Sequence, residues 1–157
     1  MDKKISREQL ETLARAGMAA PSAVNAQPWE FVLVDDRATL DALAEQLPYA
    51  KMAKEAGGAV IVCGNLHTAR EGIEQQYWIQ DCSAATQNIL LAVESMGLGA
   101  VWTGVYPKQD RVSIVTEILA LPEYIIPLNV IPVGYPAAPS SPKDKFKPER
   151  LHWNRWS

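Results

Sequence analysis

Gln75-Gln76-Tyr77-Trp78-Ile79-Gln80-Asp81-Cys82-Ser83-Ala84-Ala85-Thr86-Gln87-Asn88-Ile89-Leu90-Leu91-Ala92-Val93-Glu94-Ser95-Met96 is the longest helical stretch in the sequence, and its reading decides the architecture. Ala84-Ala85-Thr86 is small, and Ile89 to Val93 is apolar on nearly every face. A helix that is apolar all round must be buried all round. In a chain of 157 residues this favours an oligomer interface, with the alanines permitting close helix approach. Gly97-Leu98-Gly99 terminates the helix. Gly97-x-Gly99 follows a helix rather than opening one and lacks a third glycine, so it is no dinucleotide fingerprint.

Upstream, Ser6 and Gln9 have the form of a capping box, and Leu10, Leu13, Ala14, Gly17 and Met18 recur behind them at helical spacing. Ala20-Pro21 ends that helix, because the residue before a proline avoids the helical region. Residues 21–28 form a loop of small polar residues closed by Pro28. Phe31 to Val34 reads as a buried strand. Asp36 caps a helix through Leu40, Leu43, Ala44 and Leu47. Pro48 breaks it, a short helical piece covers Ala50 to Ala56, and Gly57-Gly58 releases the chain into a strand from Ala59 to Cys63.

Downstream, Ala100 to Tyr106 reads as a strand. Pro107 suits the first turn of a helix carrying Val112, Val115, Ile118 and Leu119. Leu128 to Val133 is the last strand, and Gly134-Tyr135-Pro136 turns out of it. The tail from Ala137 holds Pro139, Pro142 and Pro148 and ends in Trp153 and Trp156. Two tryptophans in a proline-rich arm need a surface to lie on. The expectation is an α+β sandwich, one domain over 1–157, whose arm at 137–157 embraces a partner subunit.

Composition narrows the function. An apolar content of 48% against 21% charged residues specifies a packed body rather than a disordered one. A net charge of −3 and a pI near 5.4 offer no overall attraction to nucleic acid or to an acidic membrane face. No segment approaches the ~20 apolar residues needed to span a bilayer. The N-terminus lacks the features of a secretory signal. Cys63 and Cys82 form no CxxC or metal-ligand pattern and read as reduced core thiols, which places the protein in the cytoplasm. His67 and His152 are the only histidines, and no Ser-His-Asp arrangement accompanies them.

Five stretches, taken in order, carry a resemblance. They are Ala20-Pro21-Ser22-Ala23-Val24-Asn25-Ala26-Gln27-Pro28-Trp29; Asp81 through Leu91; Gly97-Leu98-Gly99-Ala100-Val101-Trp102-Thr103-Gly104; Val133-Gly134-Tyr135-Pro136; and Lys143-Asp144-Lys145-Phe146 through His152-Trp153-Asn154-Arg155-Trp156. Together they resemble the signature loop, central helix, following strand and closing arm of the nitroreductase family. That resemblance implies a three-layer sandwich with a central mixed sheet flanked by helices. It also implies a homodimer with two FMN sites at the interface. Hydride would pass from NADH or NADPH to flavin N5 and then to a small electron-poor acceptor, a nitroaromatic or quinone, in ping-pong order. The cofactor carries the chemistry, so no catalytic side chain is expected.

The resemblance assigns cofactor contacts residue by residue. Pro21, Ser22 and Asn25 match flavin-contacting positions, although the same residues also suit an ordinary turn. Thr103 and Gly104 match the strand end whose backbone N–H groups approach N5, where a glycine lets the main chain come close to a flat ring. Lys51 falls where longer relatives place a lysine beside the pyrimidine end of the flavin, and a solvated helix face is the alternative. Lys143 and Lys145 match arm residues near the FMN phosphate, where a basic tail is the alternative. Trp29 reads as packing at the loop-to-strand junction.

One departure stands out. Family members carry an arginine-rich segment just before the stretch resembling Asp2-Lys3-Lys4-Ile5, and those arginines grip the phosphate. Here the chain begins at Met1, and neither Arg7 nor Arg15 replaces them. The expectation is a chain short at its N-terminus, or weak FMN affinity if Met1 is the native start; an in-frame upstream motif distinguishes the two. The alternative functions are a specialised flavoenzyme of the same fold (a dehalogenase or a flavin-degrading enzyme) and a non-enzymatic flavin-binding dimer.

Overall fold

Every side chain from Val60 to Cys63 is fully buried, and together with Ala59 they alternate between two separate cores. These residues lie on β2 (Gly58–Asn65). Val60 and Val62 face one core, shared with Leu10, Leu13, Trp78, Cys82 and Ile89. Ala59, Ile61 and Cys63 face the other, shared with Leu40, Leu43, Val115 and Val130. Successive strand side chains point to opposite faces, so the strand is covered on both. The covering helices are α1 (Arg7–Met18) and α3 (Tyr77–Ser95) on one side, and α2 (Arg37–Gln46) and α4 (Gln109–Leu119) on the other. The expected three-layer α+β sandwich is the observed architecture. Each fully buried leucine among these, such as Leu13 or Leu43, contributes about 1.5–3 kcal/mol of burial. The structure is a computed structural model describing residues 4–138, 141 and 143–156. Asp2 and Lys3 of the N-terminal match, and Pro139 and Pro142 of the arm, lie outside those residues.

The sheet runs β1 (Trp29–Val34), β2, β5 (Ile125–Gly134), β3 (Gly99–Ala100), with β4 (Thr103–Gly104) also on β5. All pairings among the described residues are antiparallel, which corrects the expected mixed sheet. The cause is visible at the β1–β2 connection. Val34, the end of β1, pairs with Ala59 near the start of β2. The α2 excursion therefore returns the chain beside the end it left, whereas a parallel neighbour needs a crossover to the far end.

The helix caps follow the sequence. Ser6 Oγ accepts from the Gln9 N–H at 3.1 Å, and Gln9 Oε1 accepts from the Ser6 N–H at 2.9 Å. Asp36 Oδ2 accepts from the Thr39 N–H at 2.7 Å. Gly64 permits Trp78 to lie against β2, since a Cβ there would stand 2.3 Å from the indole. Gly97 turns the chain out of α3 with φ of +66°.

Two expectations need adjustment. The strand expected over Ala100–Tyr106 survives only as the short pieces β3 and β4. The register on either side, Ala100↔Val133 and Thr103↔Val130, sets Val101 opposite Pro132, which has no N–H to give to a ladder. Pro107 precedes α4 rather than sitting in its first turn. The N–H groups of Val105 and Tyr106 both go to the Leu128 carbonyl at 3.1 Å, holding the chain on the sheet until then. Within this chain α3 buries one face: Ile89 and Val93 are covered, while Leu91 remains 61% exposed.

Candidate active site

Gly104 stands on the edge of the sheet opposite Asn129. The neighbouring Val105 N–H is donated to Leu128. Alternation along an antiparallel ladder then turns the N–H and C=O of Gly104 away from β5. The carbonyl confirms this orientation, since it accepts from Arg111 Nη1 at 3.0 Å. A Cβ placed on Gly104 would meet nothing within 4 Å. The result is a backbone donor on the sheet edge, at a residue with no side chain of its own and with open space where a Cβ would stand. Thr103 is oriented otherwise: its side chain is buried, and its hydroxyl donates to the Val130 carbonyl at 2.7 Å.

Arg111 draws a second segment to this edge. Its guanidinium carbon lies 4.9 Å from the centre of the Tyr49 ring. Tyr49 is two residues before Lys51, which is exposed at the start of a short helical turn, Lys51–Lys54. Arg111 Nε is buried without a partner among the described residues.

Behind the edge, a buried polar chain joins β5 to α3. Thr86 Oγ1 donates to the Cys82 carbonyl at 2.8 Å and accepts from Asn129 Nδ2 at 2.8 Å. The hydroxyl has one proton and has spent it on Cys82, so the amide must present its NH2 to Thr86. Asn129 Oδ1 is left buried and unpaired among the described residues.

The signature loop is anchored to the same helix, one residue over a turn earlier. Asp81, 6% exposed, accepts the Ala23 N–H at 2.9 Å. Within the loop, Ser22 Oγ accepts from the Gln27 N–H at 3.0 Å, and Asn25 Oδ1 accepts from Gln27 Nε2 at 2.9 Å. Ser22 and Asn25 therefore retain an O–H and an NH2 to offer outward. Val24, Asn25 and Gln27 have φ of 46°, 58° and 51°. A β-branched residue is rare in that left-handed region, and such conformations persist where surrounding contacts hold them. Pro21 sets the entry to this loop.

Lys143 and Lys145 are exposed on the arm, and no hydrogen bond or ion pair among the described residues joins them to Gly104 or to the loop. The arm itself is open: Trp153 and Trp156 are 84% and 85% exposed. A cavity of about 800 Å³ lies elsewhere, between Met52, Glu55, Val101 and Gly134-Tyr135-Pro136, and none of the eight expected contact residues lines it. Cys63 and Cys82 match their reading as core thiols. Burial pushes the Cys63 thiol up to about 12, helped by Glu30, and raises Cys82 in the same direction. Neither is a nucleophile at neutral pH.

The sequence reading missed Asp81 as an anchor, and missed Arg111, Tyr49 and Asn129 altogether. A lone aspartate in an apolar helix was a signal for the first. Nothing in the spacing marked the others.

The nitroreductase family profile matches residues 1–55 and 42–135. This chain belongs to the nitroreductase family. It is an oxidoreductase of that family. A relative from Methanothermobacter thermautotrophicus, provisionally named NADH dehydrogenase/NAD(P)H nitroreductase, is 45% identical over 99% of this chain and 80% of its own. A crystal structure from Parabacteroides distasonis with the same provisional name is 51% identical, with a TM-score of 0.92 over 99% of this chain and 90% of that one. A nitroreductase-like protein from Desulfovibrio desulfuricans, solved with FMN bound, is 27% identical with a TM-score of 0.80, over 100% of this chain and 90% of that one. Among the described residues no helix is long and apolar enough to cross a membrane.

Proposed function

We propose that this nitroreductase-family protein is an FMN-dependent NAD(P)H oxidoreductase acting as a homodimer, a single domain over 1–157. The observation that carries the reading is the outward N–H of Gly104 on an open edge, with Arg111 and the Lys51 segment beside it. FMN, when bound, supplies hydride transfer from NADH or NADPH onward to an electron-poor acceptor such as a nitroaromatic or quinone.

The residues present fit a flat, anionic cofactor. Gly104 offers a donor without steric obstruction, and Thr103 locks that strand end to β5 through its buried hydroxyl. The loop of Pro21, Ser22 and Asn25 offers an O–H and an NH2 at fixed positions, which suits ring carbonyls. Lys51 supplies positive charge to one end of the ring. Lys143 and Lys145 supply it to the phosphate from the arm of the same or the partner chain. The partner accounts for exposed apolar side chains that water would otherwise meet, among them Val24, Tyr77, Leu91, Trp153 and Trp156.

The test is a visible spectrum of the purified protein with and without added FMN, followed by anaerobic NADH and, separately, NADPH. Retained flavin bands that bleach on donor addition are expected. Failure to retain added FMN overturns the reading.

A further inference from the structure

Arg111 is a cation that the family motifs do not supply and that the fold brings to the Gly104 edge. The Lys108 N–H donates to the Val105 carbonyl at 3.1 Å, and this turn leans the first turn of α4 back over β4. Arg111 then meets Gly104 with one donor, at 3.0 Å, and lies over the Tyr49 ring, at 4.9 Å. The ion pairs among the described residues, Arg7–Asp35, Arg37–Asp41 and Arg70–Glu74, leave it without a carboxylate. Its Nε is a buried donor with no acceptor among the described residues. Leaving a donor desolvated in this way is unfavourable, and an acceptor arriving on a ligand would relieve it.

We propose that Arg111 is a positioning and electrostatic residue of the flavin edge. It holds the Gly104 carbonyl on the outer side of the strand, and it sets beside that edge a positive charge that no carboxylate pairs among the described residues. The inference rests on the FMN reading above. A guanidinium keeps its charge at any working pH. Hydride arrival would add negative charge to a bound flavin ring, and a cation already held in place would stabilise that charge without reorganising. Tyr49 keeps the guanidinium in place through its ring face. The bound flavin is therefore easier to reduce with Arg111 than without it.

The experiment compares the wild-type dimer with Arg111→Gln, Arg111→Lys and Tyr49→Leu, each loaded with FMN. Flavin fluorescence gives the FMN Kd, equilibration with a reference dye gives the ratio of reduced to oxidised bound flavin, and a thermal scan gives the stability. Arg111→Gln is expected to shift that ratio toward the oxidised form by on the order of ten-fold. Arg111→Lys, which keeps the charge, is expected to stay closer to wild type. Tyr49→Leu changes an exposed residue and is expected to shift the ratio in the same direction by a smaller factor. It decides the matter if Arg111→Gln does not fold. A wild-type ratio in the folded variants, with only the thermal midpoint moved, overturns the proposal and leaves Arg111 a structural residue. A wild-type protein that binds no FMN overturns the flavin reading itself, and this inference with it.

Discussion

Asp81, buried in the second turn of α3, accepts the backbone N–H of Ala23 at 2.9 Å across 58 residues of sequence. The bond ties the left-handed loop at Val24, Asn25 and Gln27 to the helix that also carries Thr86. Removing the carboxylate leaves a peptide donor without its partner and releases the constraint on three unfavourable backbone conformations. Asp81→Ala is expected to destabilise the protein by about 1–3 kcal/mol and to weaken FMN binding more than it slows turnover at saturating FMN. Urea titration and FMN fluorescence measure the two effects. Unchanged FMN affinity in a destabilised variant would confine Asp81 to a folding role.

The Thr86–Asn129 pair is testable by a double-mutant cycle. Thr86→Val removes the acceptor for Asn129 Nδ2, leaving both ends of a fully buried amide unsatisfied. A loss of roughly 1–3 kcal/mol is expected. Asn129→Leu on the Thr86→Val background should recover part of it, because an apolar pair has no unmet donors. Strict additivity of the two substitutions would show that the bond carries no coupling.

The two thiols should be chemically silent in the native state. With Cys63 held up near 12 by burial and Cys82 raised likewise, almost no thiolate exists at pH 8. An aromatic disulfide reagent is expected to titrate no thiols in buffer and both in denaturant. Rapid reaction of either thiol in buffer would contradict their burial.

Acid sensitivity should reside partly at the α2 cap. The Thr39 hydroxyl, and then its backbone N–H, hold the Asp36 carboxyl below its ordinary range. A group whose folded pKa is depressed stabilises the fold above its unfolded value, about 4, and that contribution is lost as pH falls through the folded value. Asp36→Asn retains a capping oxygen but cannot titrate, so its stability should vary less than wild type between pH 5 and pH 2 (roughly the window in which a carboxylate titrates). Parallel acid limbs for the two proteins would exclude the cap as a source.

Much of the fold was legible locally. The capping box at Ser6 and Gln9, the cap at Asp36, the break at Pro48 and the turn at Gly97 are short-range chemistry, and each stands where the residues place it. The two-faced burial of Ala59 to Cys63 follows from an unbroken apolar run, which only a strand covered on both sides can bury. The strand direction was not legible. Antiparallel pairing depends on which end of β1 the α2 excursion returns to, and no residue within the excursion states that.

What the sequence determined by itself is therefore most of the elements and the sandwich class, because propensity, capping and apolar period act within a few residues. Tertiary structure alone decided that Pro132 interrupts the edge strand opposite Val101, that Asp81 reaches Ala23, and that Arg111 turns back to the Gly104 carbonyl over the Tyr49 ring. Most of those relationships join residues distant in sequence, and all of them exist only once the layers have closed.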